Sequence, residues 1–282
     1  MPYFYAMSAI LCWASLPAAT GSGLKGLSTE ELLFYSFTAA AVYLYGQQVI
    51  LTRRIKPFWP DWRSCLLGIW GIFLYHYLYY TALDHTPLAE GAILTTTWSF
   101  WIVIFSSIIA SKTLKPSVLV IALVGLSGAA LVVSSGRQVS FDPAYVKGYT
   151  IALGCGLVWS SFSVSLPYRR LDQDPMPAFT ILAALFSAAL FIVSGPHRIP
   201  DIKALGSALY LGTVPLGLSF FLWNRAITSG NLSIIGMLSY LTPPLAVLLV
   251  AIVHHQQISH QVISGMILIL AASIVGKKFL KT

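Results

Sequence analysis

Apolar residues in this chain do not alternate with polar ones. They run in long blocks, and the polar residues collect in the short gaps between. The blocks fall at about 3–22, 30–51, 65–84, 88–110, 117–135, 149–167, 178–195, 204–227, 232–253 and 261–277. Each matches the roughly 20 residues that carry a helix across a bilayer core about 30 Å thick. The gaps hold turn and helix-breaking sequences: RRIKPFWPDW, DHTP, LKP, DPMP, SGPHRIP and SGN. The pattern predicts ten transmembrane helices and leaves no hydrophilic domain, so 1–282 reads as a single transmembrane unit. The opening stretch, MPYFYAMSAILCW, lacks a basic region and reads as the first span, not as a cleaved leader.

Composition fits this picture. The chain is 57% hydrophobic and only 9% charged, against roughly 25% charged in a soluble domain, so most of its surface faces lipid. The +8 net charge is not a nucleic-acid signal, because the cations sit in small groups between spans. Placing the N-terminus inside puts twelve of the seventeen Lys and Arg residues on inner segments, among them Arg53, Arg54, Lys112, Lys115, Arg169, Arg170, Lys277 and Lys278. Both termini are therefore expected to be cytoplasmic. The three cysteines, Cys12, Cys65 and Cys155, form no disulfide or metal pattern.

A shift of 144 residues sets TALDHTPLAEGAIL on RAITSGNLSIIGML without a gap, and a shift of 146 sets Trp13 on Trp159. Two repeats follow, 1–136 and 147–282, each of five spans. With an odd number of spans the second repeat enters the membrane upside down, as in secondary transporters. The expected fold is thus an all-α membrane protein of two inverted five-helix repeats around a central cavity.

The third span carries YHYLYY at 75–80. On a helical wheel Tyr75, His76, Tyr79 and Tyr80 share an arc of roughly 140°, with Trp70, Leu74 and Leu78 opposite. The fourth span has a stripe containing Thr95, Trp98 and Trp101, the first and sixth carry Trp13 and Trp159, and the eighth carries Asn224 beside Trp223. In the ninth, SYLTPP holds Tyr240 and two helix-bending residues, Pro243 and Pro244. A wall of indole, phenol and imidazole suits a flat apolar side chain by stacking or a cation by cation–π contact. No carboxylate falls at mid-depth, which favours a zwitterionic or neutral guest over a lone cation. Thr86 and Pro87 read as N-cap and first position of the fourth helix, with Glu90 in its first turn. His254, His255 and His260 read as loop residues and not as a metal site. No nucleophile–base pair, paired-carboxylate site or phosphate loop is present, so an enzyme, a metal and a cofactor are not expected.

CWAS in the first span, YYTALDHTPLAEGAIL, and above all LWNRAITSGNLSIIGMLSYLTPP resemble the drug/metabolite transporter superfamily, EamA-like branch, and within it the bacterial aromatic amino acid exporters of the YddG type. The resemblance spans the whole chain. One departure is WSFW in the fourth span, where a proline is common. It implies a basket of two five-helix halves with His76, Tyr79, Trp98, Trp101, Asn224 and Tyr240 on or near the cavity. The expected function is export of aromatic and other apolar amino acids across the bacterial inner membrane by alternating access, as a monomer, weakly coupled or uncoupled to protons. His76 and the tyrosines would hydrogen-bond the polar end of the substrate, while Trp98, Trp101 and Trp159 stack on its side chain. The alternative is a broader drug or metabolite exporter of the same superfamily, taking nucleobases or sugar derivatives.

Overall fold

Backbone amides cannot stay unpaired in hydrocarbon, so an apolar chain must be helical wherever it crosses a membrane. The computed structural model describes residues 1–134, 141–195, 200–253 and 259–279, and no strand occurs among them. His254, His255, Arg137, Arg198 and Lys281 lie outside the described residues. The chain begins with α1 (Pro2–Trp13) and α2 (Leu16–Gly23), then α3 (Thr29–Thr52). Next come α4 (Trp62–Gly68), a π-helical stretch (Ile69–Leu74) and α5 (Tyr75–Asp84) in one continuous run. They are followed by α6 (Leu88–Thr95), α7 (Trp98–Ser111), α8 (Pro116–Ser134), α9 (Val146–Ser165) and α10 (Met176–Val193). A second long run joins α11 (Ile202–Leu211), a π-helical stretch (Gly212–Leu218) and α12 (Ser219–Ser229), before α13 (Leu232–Ser239), α14 (Thr242–Val253) and α15 (His260–Phe279).

Among the described residues, eight helical runs are long and apolar enough to cross a membrane. Two further helices stand beside them: α3, which opens with Glu30 and Glu31 in a capping box on Ser28, and α15, whose apolar part is His260–Gly276. Large apolar side chains such as Val42, Val120, Leu185, Ile192 and Ile267 lie exposed on the outside, as a lipid-facing surface requires.

The spans are interrupted near their middles, and local chemistry explains each interruption. Between α1 and α2 the helix breaks at Ala14–Ser15, because Pro17 has no N–H for the Trp13 carbonyl. Between α6 and α7 there is no proline. Instead Thr95, Thr96 and Thr97 turn their hydroxyls back on the carbonyls of Ala92, Ile93 and Leu94, at 3.1, 2.7 and 2.7 Å, which competes with helix continuation. Between α13 and α14 the break at Tyr240–Leu241 precedes Pro243 and Pro244, so both prolines fall in the first turn of α14, where an N–H has no intrahelical partner anyway. Thr86 departs from the expected N-cap role. Pro87 occupies that position, and the Thr86 hydroxyl donates back to Ala82 O at 2.7 Å, closing the end of α5.

Small residues set how closely helices approach when lipid supplies no hydrophobic drive between them. α8 and α15 meet through Gly128 and Gly265; a Cβ on Gly265 would sit 2.6 Å from the Gly128 carbonyl oxygen, which is backbone and cannot step aside. Gly265→Ala should therefore lower the melting temperature, by the 1–3 kcal/mol typical of overpacking. Gly154→Ala on α9, where a Cβ meets nothing within 4 Å, should not. Thermal unfolding in detergent, followed by helical circular dichroism, compares the two.

Candidate functional site

The interruptions deliver aromatic rings to one place. Trp13 ends α1, Trp98 opens α7, Trp159 lies on α9 and Trp223 on α12. These four indoles touch in all six pairings, with ring centroids from 4.9 Å (Trp13–Trp223) to 6.5 Å (Trp98–Trp159). Most pairs are edge to face, the arrangement that indole quadrupoles favour. All four are at least nine-tenths buried. The rings thus pack on one another and do not stand apart around an open space.

The YHYLYY face extends this cluster. Tyr75, His76, Tyr79 and Tyr80 are buried, while Trp70 lies on the outside and donates to Ser161 Oγ at 2.9 Å. Tyr75 lies 4.8 Å and His76 6.4 Å from Trp159. Tyr79 stacks on Tyr75 at 5.9 Å, and Tyr80 closes the back of the group against His76 at 6.0 Å. Phe37 of α3 and Phe220 of α12 wrap the imidazole at 5.4 and 5.5 Å.

Two carbonyls of the π-helical stretches hold the group in position. In the first stretch the Ile72 carbonyl accepts from His76 Nδ1 at 2.8 Å, which fixes the proton on Nδ1 and leaves Nε2 to act as acceptor when the ring is neutral. In the second, the Pro215 carbonyl accepts Trp13 Nε1 at 2.9 Å. Ser160 of α9 donates to the Trp98 carbonyl at 2.8 Å, and Trp223 Nε1 donates to Ser163 Oγ at 3.2 Å.

Two residues read from the sequence go elsewhere. Trp101 stacks on Phe105 at 5.6 Å and meets Phe100, apart from the contacts of the four-indole group. Tyr240 points away from the indoles: its hydroxyl donates to Ala122 O at 2.8 Å, with its ring against Gly125 of α8. The break at Tyr240–Leu241 turns the side chain to that neighbour, a rotation that a continuous wheel does not contain. Conversely, Trp13 and Trp223 belong to the centre although neither was singled out as a site residue. The Trp13–Trp159 match between repeats was the available signal for the first.

Asn224 follows Trp223 and is buried, and its Nδ2 donates to Asp174 Oδ1 at 3.0 Å. Asp174 lies in the connection between the 3-10 turn Leu166–Arg169 and α10, and its Oδ1 also accepts from Met176 N at 3.0 Å. Burial pushes the Asp174 carboxyl up to about 6, against the opposing pull of the Met176 amide, the Arg225 charge and Asn224. At the end of the molecule where this connection lies, Ser106, Ser107, Lys115, Arg170, Asn231 and Ser233 line a cavity of about 390 Å³. Glu90, in the first turn of α6, accepts the Tyr149 hydroxyl of α9. No three His, Cys, Asp or Glu side chains gather as a metal site among the described residues.

Eight apolar helical runs of membrane-crossing length among the described residues mark a multi-pass membrane protein. The sequence profile of the EamA-like transporter family matches residues 1–134 and again 146–275, and the chain belongs to that family. It is a transporter of the inner membrane and not an enzyme. It is 30% identical over 273 residues to the aromatic amino acid exporter YddG of Ancylobacter novellus, covering 95% of this chain and 92% of the relative. It is also 25% identical to the pseudopaline exporter CntI of Pseudomonas aeruginosa over 76% of this chain and 74% of that one. A solved crystal structure superposes with a TM-score of 0.87 at 26% identity, covering 99% of this chain and 97% of the other.

The partly buried Asp174 carboxyl has a measurable consequence. A carboxyl with its pKa raised from about 3.9 to about 6 stabilises the fold fully below the lower value, and that contribution is lost as pH rises through the upper one. Asp174→Asn should therefore raise the melting temperature near neutral pH and leave it almost unchanged at about pH 4. Equal effects at both values would show that the Asp174 charge is not penalised in the fold.

Proposed function

We propose that this protein exports aromatic and other apolar amino acids from the cytoplasm by alternating access. The observation that carries the reading is the mutual packing of Trp13, Trp98, Trp159 and Trp223, brought from four separate spans. An aromatic side chain can replace one ring–ring contact in such a group with another of equal chemistry, so the path opens for a matching solute at little cost in free energy. Tyr75, His76, Tyr79 and Tyr80 then hydrogen-bond the polar end of the amino acid, and Asn224 faces it from α12. The likeness to a relative named as an aromatic amino acid exporter supports the same reading.

In this account ten helices cross the membrane, α3 and α15 included, in two inverted repeats, 1–136 and 147–282, with both termini cytoplasmic and the protein acting as a monomer. Three observations support the repeats. The family profile matches the chain twice. The breaks at Thr96 and Tyr240 stand 144 residues apart, and the π-helical stretches begin at Ile69 and Gly212, a nearly equal spacing. Pro243 and Pro244 are the hinge of the second repeat, as the three threonines are of the first. No carboxylate lies among the central rings, so transport is weakly coupled or uncoupled to protons. A broader metabolite exporter is the second reading, favoured by relatives named for pseudopaline and biotin.

Liposomes containing the protein and preloaded with unlabelled phenylalanine should accumulate labelled phenylalanine, and tryptophan should compete. Trp98→Leu should slow this exchange about tenfold, the equivalent of one lost ring contact, while Trp70→Leu on the outer surface should not. Competition by nucleobases or sugar derivatives but not by tryptophan would favour the second reading. An imposed proton gradient should leave the exchange rate unchanged; strong acceleration would contradict uncoupled transport.

A further inference from the structure

Asn224 presents an unusual defect. The residue is more than nine-tenths buried, and its Nδ2 is committed to Asp174, but its Oδ1 is enclosed and meets no donor among the described residues. An enclosed acceptor without a donor is rare in a folded protein and marks a position where a partner is missing. The second half of the pair has the same need. Asp174 brings a carboxylate into contact with Asn224, yet no cation closes on it within ion-pair distance among the described residues. Arg225 is next in sequence to Asn224, but its guanidinium lies 4.2 Å over the ring of Phe221 and 5.9 Å from that of Tyr5. Asn224 Oδ1 therefore lacks a donor, and the carboxylate beside it feels the Arg225 charge without a cation in ion-pair contact among the described residues.

We infer that Asp174 and Asn224 form a docking site for the primary ammonium group of the transported solute, at the edge of the indole cluster. A primary ammonium carries three N–H donors. The free Asn224 oxygen can accept one and the Asp174 carboxylate another. Trp223, the residue before Asn224 in α12, belongs to the four-indole cluster, so the site adjoins that cluster in sequence. A guest held here by its ammonium group directs its side chain toward the indoles. This assignment rests on the amino-acid reading of the substrate and adds to it the first station on the path: the ammonium docks before the rings part, and His76 and the tyrosines receive the solute afterwards. It also gives a role to a partly buried carboxyl in an otherwise apolar protein, since groups that cost stability concentrate at functional sites.

Phenethylamine keeps the ring and the ammonium but has no carboxylate; 3-phenylpropionate keeps the ring and the carboxylate but has no ammonium. Calorimetric titration of the purified full-length protein in detergent should show phenethylamine binding, weakened at least tenfold in Asp174→Asn and in Asn224→Leu. The affinity for 3-phenylpropionate should change less than twofold in Asp174→Asn. Melting temperatures of both variants report folding, and Asp174→Asn is expected to be at least as stable as the parent near neutral pH. Unchanged phenethylamine affinity in folded Asp174→Asn, or no phenethylamine binding by the parent protein, would overturn the site. Phenylalanine exchange by the parent in liposomes separates the two readings. Asp174-dependent phenethylamine binding without phenylalanine exchange would keep the ammonium site and remove the amino-acid exporter. Exchange that Asp174→Asn leaves intact, with unchanged phenethylamine binding, would remove the ammonium site alone.

Discussion

A carbonyl released from a helix inside hydrocarbon has no water to turn to, so a side chain must donate to it. That constraint governs the centre of this transporter. Its spans are interrupted by prolines, by three consecutive threonines and by two π-helical stretches, and side-chain donors of the chain itself bond carbonyls at these places. His76 takes the Ile72 carbonyl, Trp13 takes that of Pro215, and Ser239 takes that of Gly236 at 2.6 Å. Each such bond fixes the orientation of a ring or hydroxyl, and the interruptions thereby position the side chains of the central cluster. Buried hydroxyls farther out follow the same rule within single helices, as when Ser36 and Ser187 donate to the carbonyls four residues back at 2.6 and 2.7 Å.

The arrangement joins rigidity to a capacity for change. Glycine contacts such as Gly128 on Gly265 lock α8 against α15, whereas the interrupted helices α6–α7 and α13–α14 face one another through serine pairs, Ser99 with Ser239 and Ser106 with Ser233, each at 2.8 Å. Hydroxyl pairs of this kind contribute little net free energy and re-form readily with other partners. Edge-to-face indoles likewise hold together through many weak contacts that an aromatic guest can replace. In the proposed reading such a group would accept a class of ring-bearing solutes more than one molecule; relatives in the family are named for different cargoes.

Much of this was legible in the sequence because hydropathy blocks and wheel geometry depend only on local periodicity. The polar arc of Tyr75, His76, Tyr79 and Tyr80 and the place of Trp98 and Trp159 followed from that periodicity. It does not reach Tyr240, which the family resemblance put near the cavity and which bonds Ala122 of α8 instead, nor Trp101, which lies only about 60° from Trp98 on α7 yet packs on Phe100 and Phe105. Asp174 was invisible for another reason. In DQDPMP it reads as an ordinary loop acid, and only the tertiary approach of α12 buries it against Asn224.

The central claim is that the four indoles part to admit an aromatic solute. Tryptophan emission, excited at the red edge of indole absorption where phenylalanine does not absorb, reports their surroundings directly. As phenylalanine is added to the purified protein, the account predicts a saturable shift in emission. That shift should shrink when Trp159 is replaced by Phe, with Trp13, Trp98 and Trp223 left to report. An emission spectrum that stays constant while phenylalanine binding is established by calorimetry would contradict it, because the solute would then pass without disturbing the rings.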